Sequence, residues 1–214
     1  MGGRGAGWRG SGYDASGNKK SGTFYPKKKY IGMTYRDFER SIKNEKNEYL
    51  GLIDKSGKVI LAGTSYRNDS VLIPTSRPEM KNSVGMTHNH PSGGDRMIGA
   101  TLSGADVMNM ASLNLDYVRA TASGPNENIY MLRKMVGKRH QRKRLTEYAM
   151  RADREMERMQ FNVGERIVKK QRQRGKRITE RQHSQINLGI LKRYWKKDVI
   201  KKLGYEYIEA KREH

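Results

Sequence analysis

The chain contains no cysteine. Disulfides and thiolate metal sites are therefore excluded, and redox chemistry says nothing about compartment. No run approaches the roughly 18 consecutive apolar residues of a membrane-spanning helix, and no apolar signal-peptide segment follows the start. The expectation is a soluble protein made in the cytoplasm. Hydrophobic residues are also scarce, at 35% of 214, which argues against burying the whole chain in one core. Internal repeats, zinc-finger spacing, a P-loop and G-x-S-x-G are all missing.

Acidic residues are the other shortage: 22 Asp and Glu face 44 Lys and Arg, for a net charge of +22. Residues 1–30 hold 7 basic and 1 acidic residue, residues 31–135 hold 13 and 11, and residues 136–214 hold 24 and 10. A nearly neutral middle between basic ends reads as a folded domain with basic appendages. An excess of this size points to a polyanionic partner.

Residues 1–32 read as a Gly-rich, basic, disordered tail, with eight glycines among the first 30 residues and almost no aliphatic side chain. Gly5, Gly7 and Gly10 form a literal G-x-G-x-x-G. No strand precedes it, so a dinucleotide reading is set aside. Trp8, Tyr13, Phe24 and Tyr25 offer rings that could stack on bases, although a solvated tail is the plainer reading.

Residues 33–135 read as an α/β domain. Thr34 caps a short helix to Ile42. Residues 48–62 form a hairpin about the Asp54–Gly57 turn. Val71–Pro74 and Ser83–His88 read as further strands, Ser103–Leu115 as a helix, and Tyr117–Ala122 and Ile129–Leu132 as two more strands around a turn at 124–128. Residues 136–214 read as a basic helical extension, with helices over 141–173 and 178–203. Leu145, Ala149, Ala152, Met156 and Met159 recur at helical spacing, a stripe for packing on the core or on another helix. Runs such as Lys138–Arg144 and Lys169–Arg177 make residues 138–177 a candidate DNA or RNA contact, driven by phosphate charge without base specificity.

The chemistry concentrates in Thr87-His88-Asn89-His90-Pro91 and the later Ser103-Gly104-Ala105-Asp106. Side chains alternate along a strand, so His88 and His90 point to one side and can reach one metal. Asp106, on the following helix, can supply a third ligand. Two histidines and a carboxylate with one position open suit a catalytic zinc, which acidifies water in that position. Glu48, at the head of the hairpin, or Glu45 three residues earlier, is the candidate general base. Glu48 is preferred because it directly precedes the apolar strand residues. Ser103 has two compatible uses: donating its hydroxyl to a developing oxyanion, and capping the helix in a capping-box pair with Asp106. His140, His183 and His214 receive no role.

This pattern of a glutamate, H-x-H and S-x-x-D resembles the JAMM superfamily of zinc metalloproteases, also called JAB or MPN-type. His88-Asn89-His90-Pro91-Ser92-Gly93 is especially similar to the RadC-like branch, and to JAB-like domains of phage-encoded and toxin-associated proteins. The resemblance covers about residues 45–133. It implies a mixed β-sheet flanked by helices, Zn2+ bound by His88, His90 and Asp106, Ser103 as oxyanion donor, Glu48 or Glu45 as base, and a protein or peptide substrate. For a phage-encoded protein it adds the virion as a location. One departure stands out: twelve residues separate His90 from Ser103, more than the family's usual spacing. The extra stretch around 94–100 must bulge outward, and it makes Asp95 a minor rival ligand. The competing function is nucleic-acid binding with the JAMM-like domain as an inactive scaffold.

Overall fold

In the computed structural model, the described residues are 23–66, 71–91, 101–122, 128–175 and 192–211. The G-x-G-x-x-G string, the stretch around 94–100 with Asp95, the 124–127 part of the turn and most of the expected helix over 178–203 lie outside them.

Seven strands form one mixed sheet in the order β1-β3-β2-β4-β5-β6-β7. They are β1 (Tyr25–Pro26), β2 (Tyr49–Ile53), β3 (Val59–Thr64), β4 (Gly85–His90), β5 (Tyr117–Ala122), β6 (Asn128–Lys134) and β7 (Tyr205–Lys211). The expected hairpin is β2–β3, turned at Gly57, whose φ of +77° favours glycine. β4 lies antiparallel to β2 and parallel to β5. A parallel pair needs a crossover, and that crossover contains α2 (Gly104–Ser112).

α1 (Tyr35–Ile42) covers one face of the sheet, starting at Thr34, whose hydroxyl accepts from Asp37 N. Tyr30, Phe38, Ile42, Tyr49, Val59 and Ala62 form the core there, and the Phe38 ring lies against Gly51 with no room for a Cβ. The opposite face holds the larger core. Leu50, Leu52, Met86, Val118 and Ala120 meet Val107, Met110 and Ala111 of α2, and α3 (Arg142–Gln173) packs on α2 through Leu145, Ala149 and Ala152.

Three expectations need correction. Val71–Pro74 is not a strand: Pro74 offers no N–H, and the segment instead buries Val71 while Leu72 N bonds Ser65 Oγ. Residues 23–32 do not read as tail, because β1 pairs with β3 and Tyr30 is buried. Among the described residues, the expected extension over 136–214 is not a separate helical unit. Tyr194, Trp195, Ile200, Leu203 and Tyr205 belong to the same core as α2. After α4 (Asp198–Lys202) the chain turns at Gly204, with φ +90°, and β7 pairs along the whole of β6. No helix among the described residues is long and apolar enough to cross a membrane.

Candidate metal centre

The site lies at the carboxyl end of β4, where the chain leaves the sheet on its way to α2. Strand alternation sends Met86, His88 and His90 to the α2 face and Thr87 and Asn89 to the α1 face. His88 and His90 are buried, at 2% and 8% exposure, and their Nε2 atoms stand 2.9 Å apart. Asp106 arrives from the first turn of α2. Its Oδ1 is 3.3 Å from His88 Nε2, and its Oδ2 is 3.7 Å from His90 Nε2. Among the described residues these three are a group able to hold a metal ion.

The spacing fits the donor set. Ligands at about 2.0–2.2 Å from a tetrahedral metal stand roughly 3.3 Å from one another, and the three separations here bracket that value. Imidazole and carboxylate donors suit first-row divalent metals as a class. The Arg119 carbonyl of β5 also hydrogen-bonds the His88 ring. That bond is the outer support expected of a metal-binding histidine.

Asp106 is placed by its own helix end. Ser103 Oγ accepts from Asp106 N at 3.1 Å, and Asp106 Oδ2 accepts from Ser103 N at 2.7 Å, the capping box expected from S-x-x-D. A cap of this kind is worth about 1 kcal/mol, and here it also orients the carboxylate. Burial alone would raise the Asp106 pKa, but His88 and His90 outweigh it and hold the carboxyl below its usual range. Burial likewise opposes charge on His88, yet Asp106 raises its pKa to about 9. Without a metal, a proton on His88 balances the carboxylate.

The two candidate bases part company. Continuing the register past Leu50–His88 sets Glu48 opposite His90, on the metal face. Glu48 is buried and its charge acts on His88. Glu45 is coupled to Lys29 and Tyr49 instead. Asn89 holds the backbone on either side of Glu48. Its Oδ1 accepts from Tyr49 N at 2.7 Å, and its Nδ2 donates to Asn47 O at 3.1 Å. On the α1 face, Thr87 and Arg119 both bond the buried carboxylate of Glu39, Arg119 through Nε at 2.7 Å and Nη2 at 3.0 Å.

Sequence reading found His88, His90, Asp106, Ser103 and Glu48 but not Asn89, Glu39 or Arg119. Their signal was faint: a polar residue at an alternate strand position and a charge on the apolar side of a short helix. No family model, curated protein or solved structure matches this chain.

Proposed function

We propose that this protein is a JAMM-type zinc hydrolase that cleaves an amide or isopeptide bond in a protein or peptide. The reading rests on one observation: two buried histidines from one strand end and a capped helix aspartate converge at metal-ligand spacing, with a buried glutamate whose charge acts on His88.

His88, His90 and Asp106 would hold the metal, which when bound supplies the Lewis acidity that makes water nucleophilic near neutral pH. Glu48 would take a proton from the attacking water and pass it to the departing amine. The Ser103 hydroxyl, whose oxygen already accepts from Asp106 N, keeps its own proton to donate to the developing oxyanion.

Elemental analysis of the purified full chain, beside a His88→Ala/His90→Ala double variant, is the first test. About one zinc per chain, lost in the variant, supports the centre. No metal in either protein, even after zinc is supplied, overturns it. Peptide and isopeptide substrates then test the reaction.

A second reading, nucleic-acid contact, has its own observation. Lys143, Arg144, Arg151, Arg154 and Arg158 are exposed and share the side of α3 opposite Leu145, Ala149 and Ala152, interrupted by Glu147 and Glu155. Such a face gains affinity by releasing counterions from phosphates. It is compatible with the hydrolase and would bring it to a nucleoprotein target.

A further inference from the structure

The segment Thr101–Gly104 runs directly into α2 and so delivers Ser103 and Asp106 to the histidines. Three side chains from the C-terminal third of the chain hold it. Asp153 Oδ1 of α3 accepts from Gly104 N at 2.8 Å. Trp195 Nε1 donates to Leu102 O at 2.8 Å. Tyr207 of β7 shares a 2.6 Å hydrogen bond between its hydroxyl and Thr101 Oγ1. Thr101, Leu102 and Trp195 are each no more than 2% exposed, so water does not substitute readily for these bonds. A Cβ on Gly104 would lie 2.4 Å from the Asp153 carboxylate, which means that only glycine permits this approach.

The capping box fixes Asp106 relative to α2, but it does not fix α2 relative to β4. Packing of Val107, Met110 and Ala111 on the sheet seats the helix, and the three bonds fasten the segment that leads into it, each from a different part of the chain and each on a different one of the residues 101, 102 and 104. We propose that Asp153, Trp195 and Tyr207 are positioning residues that set the metal affinity of the centre, so that α3, the segment carrying Trp195 and β7 are working parts of it. This inference rests on the metal-site reading above. Without these bonds, a metal would have to order the approach to Asp106 on binding, and affinity would fall. Removing an outer partner of a metal ligand commonly weakens binding about 10–100-fold.

The test is zinc affinity of the full chain, measured by competition with a chromophoric chelator, with thermal unfolding of the metal-free protein alongside. Asp153→Ala and Trp195→Phe are expected to bind zinc about 10–100-fold more weakly. Asp153→Asn, which keeps an acceptor oxygen, is expected to recover most of that loss. Tyr207→Phe removes a single oxygen, keeps the question open to measurement if the larger changes fail to fold, and should also weaken zinc binding. Ile42→Val on α1 removes buried volume on the other face and should leave zinc affinity unchanged. Wild-type affinity in Asp153→Ala, Trp195→Phe and Tyr207→Phe would overturn the proposal, as would an equal loss in Ile42→Val. Zinc retained by His88→Ala/His90→Ala would overturn the metal-site reading itself, a different failure from either of these.

Discussion

Asn89 grips the backbone on both sides of Glu48, bonding Asn47 O and Tyr49 N while its own neighbours in sequence point to the opposite face. One strand residue thus ties the candidate base to the candidate ligands. Asn89→Ala leaves the Tyr49 amide without that acceptor in the interior, at a cost of about 1–3 kcal/mol. Zinc content should persist in this variant while turnover falls on the order of ten- to a hundred-fold, because a small misplacement of a reacting group is costly. Elemental analysis and turnover on one sample would separate the two effects, and unchanged turnover would remove Asn89 from this role.

Glu48→Gln should keep zinc and lose hydrolysis by about 10²–10⁴-fold, the usual contribution of a general base. Glu45→Gln should behave as wild type, since that carboxylate acts on Lys29 and Tyr49. The reverse ranking in a side-by-side assay would reassign the base.

His88 titrates near 6.5 in an unfolded chain and at about 9 in the folded, metal-free protein, because Asp106 outweighs the effect of burial. Its pairing therefore stabilises the metal-free fold fully below pH about 6.5 and is lost as pH rises through about 9. The melting temperature of chelator-treated protein should drop across that window. Zinc must displace the same proton, so the gain in melting temperature on adding zinc should grow over the same range. A melting temperature that instead climbs with pH without metal would contradict the His88–Asp106 pairing.

Glu39→Ala strands the Arg119 guanidinium, whose side chain is only 12% exposed. The expected cost is about 3–5 kcal/mol, the usual penalty for breaking a buried pair. Urea unfolding reads it directly. A loss below about 1 kcal/mol would mean the pair behaves like a surface one.

Changing Arg144, Arg151, Arg154 and Arg158 to Gln should weaken binding to duplex DNA or RNA and flatten its dependence on salt. Binding by the wild type that is insensitive to salt would remove phosphate contact as the mode.

The local signals in the sequence were strong where each element could be read from its own neighbourhood. Thr34 and Ser103 mark their helix starts, Asp54–Gly57 marks the hairpin, and alternation carries His88 and His90 to one side. What escaped was set by distant partners. Glycine at 204 followed by Tyr205, Tyr207 and Ile208 is a strand signal, but a charged, helix-rich surrounding hid it, and only the ladder to β6 decides the matter. Trp195 lies within the helix expected over 178–203, yet its indole N–H serves Leu102, 93 residues away. Val71–Pro74 had strand composition without a neighbour to pair with.

The pairing of β6 with β7 has a further consequence for synthesis. Residues 128–134 must wait for residues 205–211 before their outer edge is covered, and a contact so remote in sequence forms slowly. On the ribosome, His88, His90 and Asp106 are all made long before Trp195 and Tyr207 emerge to fasten the approach to Asp106. A nascent chain would therefore carry the three candidate ligands well before it can hold them in place.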